Sequence, residues 1–223
     1  MSFYLKKDWN SIKEYRHSFD WFESKWILNW STNSINASIL YEAIKLIKPK
    51  ILIETGTFEG HGVYVMAKAL QEIGNKATIY TIDYDNDPLT KLDEHSWLKL
   101  KQIRDENLSV IRERFSNVRI IYINGDSREV LPKLVRKIGF KWDFFYQDSM
   151  HFYEGIKSEW ETIYQYANHN AVAVFDDISI NKVNFNQDGY RFCREFIESK
   201  HIGDWDFVST EIGHHQFWIQ KHT

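Results

Sequence analysis

From position 49 onward, apolar positions follow two alternating rhythms. Short runs rich in β-branched and aromatic residues occupy 51–53, 79–82, 118–123, 142–146 and 171–175, and helix-like segments follow them. The run AVAVF at 171–175 is apolar at every position. A strand covered on both faces reads this way, whereas a half-exposed antiparallel strand alternates, so a mostly parallel sheet is predicted. Right-handed crossovers then place helices such as 63–73, 128–137 and 153–166 on both faces of the sheet. Near the end the rhythm breaks. Strands at 206–209 and 216–220 are separated only by TEIGHH, too short for a helical crossover, which predicts an antiparallel hairpin. Residues 1–48 lack the alternation, are helical by period, and carry Phe3, Tyr4, Trp9, Tyr15, Phe19, Trp21, Phe22, Trp26 and Trp30. They are predicted to form a helical cap belonging to the same domain as the α/β, doubly wound unit at 49–223.

Composition adds limits. A chain of 223 residues with 43% hydrophobic content suits one domain with an ample core. With 28 basic against 31 acidic residues the net charge is -3, and no basic block exists to neutralise a phosphate backbone, so no nucleic-acid partner is expected. The single cysteine, Cys193, excludes an internal disulfide framework and reads as a small apolar filler of a helix. No apolar stretch approaches the roughly 20 residues of a membrane span, and MSFYLKKDWN does not read as a secretory signal. A cytoplasmic location away from membranes is expected, and a homo-oligomer is left open.

Ligands of open α/β sheets bind beyond the carboxyl ends of the strands. After the first run stands ETGTFEG, where Gly56 and Gly60 have the spacing of a tight turn that lets backbone approach a ligand and then opens a helix. The second run ends at Asp83 in TIDYD, placed to accept from the two hydroxyls of a ribose. The third ends in NGDS. Asp126 there is placed either to accept from an exocyclic adenine amine or to serve the turn, and Ser127 to cap the next helix. The last two runs end in QDSMHFYEG and FDDIS, which put Asp148, His151, Asp176 and Asp177 at strand ends. His214 and His215 in the hairpin turn read as solvated, and the lysines of 91–101 as an exposed face.

Taken together, ILIETGTFEG, TIDYD and NGDS in this order, with the terminal hairpin, resemble the class I S-adenosylmethionine-dependent methyltransferases over roughly 49–221. The pair DSMHFYEG and VFDDIS is similar to the metal-dependent small-molecule O-methyltransferases of macrolide-sugar and catechol type. The resemblance implies a Rossmann-like, seven-stranded sheet. It implies S-adenosylmethionine bound by Glu54, Gly56, Thr57, Gly60, Asp83, Asp126, Ser127 and Asp148. It also implies Mg2+ or Mn2+ held by Asp148, Asp176 and Asp177, with His151 as general base and a small hydroxylated molecule as acceptor. Physically, neighbouring strand ends lie about 4.8 Å apart, so these carboxylates converge and repel unless a hard cation joins them. Other roles stay open: Asp148 touching only the cofactor, Asp177 capping a turn, and His151 capping the helix near Tyr153 or bonding a carbonyl. Gly62 stands where the relatives often carry a small hydroxyl. In family position the aromatic cap is a lid that selects the acceptor. The rival readings are a metal-independent N- or C-methyltransferase, a macromolecular acceptor, a dinucleotide-dependent oxidoreductase, which wants a third glycine where Phe58 stands, and a non-catalytic binding protein.

Overall fold

The computed structural model describes residues 5–13, 34–85, 93–139, 141–180, 186–199, 203–210 and 215–222. Among the described residues, two helices, α1 (Leu5–Ile12) and α2 (Ser34–Ile47), precede the sheet. The alternation follows: β1 (Ile51–Thr55), α3 (His61–Glu72), β2 (Ala77–Asp83), α4 (Glu94–Arg114), β3 (Val118–Asn124), α5 (Ser127–Ile138), β4 (Trp142–Gln147), α6 (Tyr153–Ile163) and β5 (Ala167–Phe175). Helix α7 (Gln187–Glu198) leads to the hairpin β6 (Trp205–Thr210) and β7 (Gln216–Lys221). The aromatic stretch from Tyr15 to Trp30, and with it most of the expected lid, lies outside the described residues, as does His214.

The sheet has seven strands in the order β3-β2-β1-β4-β5-β7-β6. The first five pair in parallel and β7 runs antiparallel to both β5 and β6, as the sequence predicts. Burial explains why the parallel strands read as unbroken apolar runs. Leu52, Phe144, Tyr146, Val172 and Val174 join the core made with Trp9, α2, α3 and α4. Their neighbours Ile53, Phe145, Ala173 and Phe175 join the core made with α5, α6 and α7. Each fully buried side chain of this size contributes about 1.5–3 kcal/mol, and a polar residue on either strand face would forfeit it. Cys193 is buried in the second core, as expected of a filler. Helix α4 buries Trp97, Leu100, Ile103, Leu108 and Ile111 and leaves Lys99 and Lys101 exposed.

Order and register fix where function belongs. The chain moves from β1 out to β3 on one side, then returns to β4 and β5 on the other, so the topological switch lies between β1 and β4. Thr55 pairs with both Ile82 and Gln147, and Gln147 with Phe175. The next residues, Gly56, Asp83, Asp148 and Asp176, therefore stand along one carboxyl edge. Among the described residues no helix is long and apolar enough to cross a membrane.

Candidate active site

The glycine turn closes against its neighbours through backbone. Gly56 N–H donates to Ile82 O at 2.8 Å, and Asp148 N–H to Thr55 O at 2.9 Å. Gly56 has φ +89°, and a Cβ there would lie 2.0 Å from the carbonyl oxygen of Asp148, so glycine alone fits. Phe58, where a dinucleotide fold wants glycine, does adopt a left-handed φ of 47°. Its N–H donates to Asp83 Oδ2 at 2.6 Å, which ties the turn to the end of β2 and offsets the backbone cost.

Glu54 faces this turn from inside. Its Oε2 accepts from Thr81 Oγ1 at 2.5 Å, and Thr81 is 2.5 Å from Thr57 Oγ1, so the cofactor candidates Glu54 and Thr57 share one buried relay. Burial pushes the Glu54 carboxyl up to about 8 against the pull of Thr81. The unusual Gly62 has its reason here, because a Cβ would stand 1.9 Å from Glu54 Oε1. The carboxylate fills the space a side chain would take.

At the end of β2, Asp83 accepts from Phe58 N–H and, at 2.8 Å, from Tyr84 N–H. Burial raises its carboxyl, opposed by the Phe58 amide and the nearby Arg104 guanidinium. Arg104 is itself buried, pairs with Asp85 at 2.7 Å and stacks 4.3 Å over the Tyr122 ring. A cleft of about 210 Å³ lined by Asp85, Trp97, Leu98, Lys101 and Asn124 opens beside them.

The NGDS loop corrects one expectation. Asp126, not Ser127, is the N-cap of α5, accepting from Arg128 N–H at 2.9 Å. Both its oxygens also bind the Arg128 side chain, which holds the carboxyl below the usual range. A cap must precede the first helical turn to reach its free N–H groups, and Ser127 already lies within it. Its hydroxyl turns inward to Glu159.

Strands β4 and β5 bring the remaining candidates together. Asp148 and Asp176 share a hydrogen bond, and burial first raises both carboxyls; the charges of Asp176 and Asp177 add to the rise at Asp148, and that of Asp177 at Asp176. His151 reaches both flanking acids, with Nε2 3.9 Å from Asp148 Oδ1 and Nδ1 3.5 Å from Asp177 Oδ2. The α6 N-cap is Phe152, so His151 does not cap that helix. Asp177 has φ 56°, a left-handed bend that aspartate tolerates better than most residues. His215 corrects a second expectation: it is buried beside the end of β5, where its carbonyl accepts from Ile178 N–H at 2.8 Å.

Sequence patterns did not flag three residues that shape the cluster. Asn36 of α2 and Gln216 of β7 donate to Asp176 Oδ1 at 3.1 and 2.5 Å. Asn186 donates to the carbonyls of His151 at 3.0 Å and Asp177 at 3.2 Å, which pins the two loops to each other. Only the fold brings these amides near the acids, so no local signal marks them. Among the described residues, no group of three or more His, Cys, Asp or Glu is arranged to hold an ion.

A model of the methyltransferase domain family matches residues 53–178, the span from the glycine turn to the paired aspartates. No curated protein matches the chain. Among solved structures, the O-methyltransferase TomG of Streptomyces achromogenes, involved in tomaymycin synthesis and bound to S-adenosylmethionine, is similar at 17% identity with TM-score 0.63, covering 87% of this chain and 82% of that one. An O-methyltransferase from Bacillus cereus in complex with S-adenosylhomocysteine aligns at 13% identity and TM-score 0.65, over 88% and 84% of the two chains. CalS11, the TDP-rhamnose 3'-O-methyltransferase of calicheamicin biosynthesis, aligns at 15% and TM-score 0.58, over 85% and 81%. At these identities the likeness is one of fold, and the family match carries the assignment: the chain belongs to the methyltransferase domain family, as a class I S-adenosylmethionine-dependent enzyme.

Proposed function

We propose that the enzyme moves the methyl group of S-adenosylmethionine to a hydroxyl of a small molecule, with His151 as general base and a divalent cation at Asp148, Asp176 and Asp177. The observation that carries this reading is the meeting of three carboxylates and one imidazole at the ends of β4 and β5, against the glycine turn. The cofactor is assigned to the edge formed by Glu54, Gly56, Thr57 and Gly60. There Asp83 holds the ribose, and the cleft beside Asp85 and Asn124 receives the adenine near Asp126 and Ser127. Gly56, whose bare Cα lets the Asp148 backbone close against the turn, makes the turn and the β4 loop one continuous wall of this edge.

In chemical type the donors suit a hard cation, although the described residues do not hold them in an ion-ready arrangement. All three candidate ligands are carboxylates, and two of them share a proton-dependent hydrogen bond where a cation would satisfy both as anions. When bound, a magnesium-class ion supplies charge that lowers the pKa of a coordinated hydroxyl. The protein's own part is positioning and proton transfer. Asn36 and Gln216 fix one oxygen of Asp176, and Asn186 fixes the backbone of the His151 and Asp177 loops. His151, half-buried between two acids, receives the acceptor proton as the oxygen attacks the sulfonium methyl in line, and the S–CH3 bond breaks with its electron pair going to sulfur, which leaves S-adenosylhomocysteine. A second reading, metal-independent transfer with His151 as sole activator, is favoured by the lack of an ion-ready arrangement among the described residues.

One set of measurements tests these readings. S-adenosylhomocysteine should bind in calorimetry and Asp83→Ala should weaken it, and Mn2+ should give a bound electron paramagnetic resonance signal that Asp176→Asn removes. Unchanged cofactor affinity in Asp83→Ala would overturn the cofactor placement. Absence of bound Mn2+, with full transfer to hydroxylated sugars or catechols after chelation, would leave the metal-independent reading standing.

A further inference from the structure

Helix α6 carries an acid on its core-facing stripe. Ile156, Glu159, Trp160 and Ile163 recur at helical spacing and all are buried, with Glu159 fully so. No lysine, arginine or histidine among the described residues neutralises Glu159, and burial pushes its carboxyl up to about 7. Three hydroxyls meet it instead. Thr55 Oγ1 donates to Oε2 at 2.9 Å, Ser149 Oγ to Oε1 at 2.7 Å, and Ser127 Oγ also to Oε1.

Each donor adjoins a residue of the site. Thr55 ends β1 immediately before Gly56, Ser127 follows Asp126, and Ser149 follows Asp148. A single carboxylate thus lies beneath the glycine turn, the NGDS loop and the loop leading to His151. An apolar side chain at this stripe position would pack without the desolvation cost of a buried carboxylate. We infer that Glu159 is a positioning residue for methyl transfer, a clamp that sets the spacing between the cofactor turn and the Asp148–His151 loop. Gly56 and the Asp148 backbone already lie in contact, so any drift of one loop moves the other. An in-line displacement tolerates little such drift.

The inference rests on the placement of S-adenosylmethionine over the glycine turn. Its test uses the full chain, S-adenosylhomocysteine as the titrated ligand, and scanning calorimetry alongside. Glu159→Gln keeps the size but offers one acceptor oxygen in place of two, so the dissociation constant should rise on the order of 10-fold while the melting temperature stays close to wild type. Thr55→Val should weaken binding in the wild-type background and add nothing in Glu159→Gln, because both remove one clamp. A lowered melting temperature with unchanged affinity in Glu159→Gln overturns the inference, as does independent addition in the double variant. If Glu159→Gln fails to fold, Thr55→Val and Ser127→Ala decide, and unchanged affinity in both overturns it. Asp83→Ala is the reference. If it weakens the ligand and Glu159→Gln does not, only the clamp is wrong; if neither does, the cofactor placement has failed and takes the clamp with it.

Discussion

Gly56→Ala should be among the most damaging single-methyl additions in the chain. The added Cβ would stand 2.0 Å from Asp148 O, 2.4 Å from Asp148 C and 2.8 Å from Ser149 N, whereas ordinary contact begins near 3.4 Å. These are backbone atoms at the end of β4, so no side chain can swing aside. Relief requires the turn or the loop to retreat, and two hydrogen bonds oppose it: Gly56 N–H to Ile82 O and Asp148 N–H to Thr55 O, at 2.8 and 2.9 Å. Each contributes about 1 kcal/mol. The left-handed φ of +89° adds about 1–2 kcal/mol for any residue with a Cβ. The expected destabilisation is therefore about 3–4 kcal/mol. Gly74 provides the control, since its φ is also positive, +65°, yet nothing lies within 4 Å of a Cβ there. Gly74→Ala should cost only this backbone part, about 1–2 kcal/mol. Urea unfolding followed by tryptophan fluorescence measures both, with the slope checked for two-state behaviour. If Gly56→Ala proves no more costly than Gly74→Ala, the close approach of the turn to the Asp148 loop is wrong.

The remaining expectations concern protons. Glu54 has its folded-state value raised from 4.5 to about 8, so its neutral form contributes stability that is fully present below about 4.5 and is lost as pH rises through about 8. The ligand-free protein should weaken across that window, and Glu54→Gln should flatten the profile by up to about 1.4 kcal/mol per pH unit; an unchanged slope in chemical denaturation would count against a buried Glu54. His151→Ala should keep its melting temperature and its affinity for S-adenosylhomocysteine but lower turnover by about 10²–10⁴-fold. Early melting with turnover intact would make His151 structural.

The strands were legible because both faces of the sheet are covered, and continuous apolar runs such as AVAVF admit few alternatives. The strand-end residues were legible for the same reason. Once β1 and β4 are neighbours, Gly56 and Asp148 must meet, and no long-range information beyond strand order is needed. Ser127 misled because a serine before a helix is a common cap, and sequence does not fix whether Asp126 or Ser127 takes the position. His215 misled because a hairpin turn normally faces water, whereas this one returns against the end of β5. Asn36, Asn186 and Gln216 left no signal, since each comes to its acid or carbonyl from another element. Glu159 did leave one. A glutamate on a helix stripe shared with Ile156, Trp160 and Ile163 breaks the amphipathic pattern and marks a buried acid.

Two aspartates of one strand-loop unit sit in opposite electrostatic settings. Asp143, near the amino end of β4, accepts from Lys50 N–H at 2.8 Å, Ile51 N–H at 2.9 Å and Asn168 Nδ2 at 2.6 Å. Its charge is met by protein donors, and it needs nothing further. Asp148, at the carboxyl end, meets Asp176 and Asp177 instead, with Glu54 also close enough to raise its carboxyl. Glu54, Glu159 and Asp176 are raised in the same direction, all by burial first. A fold selected only for stability would have no reason to gather four such carboxyls at one edge and satisfy their counterpart at the other. The asymmetry runs along the strand axis, and under the proposed placement the carboxyl edge is where positive charge from outside the chain would bind. S-adenosylmethionine carries such charge on its sulfonium and its amine, and a divalent cation would bring more. Under the proposed placement either would meet Asp148 and Asp176 as anions, while Glu159 keeps its three hydroxyl donors beneath them.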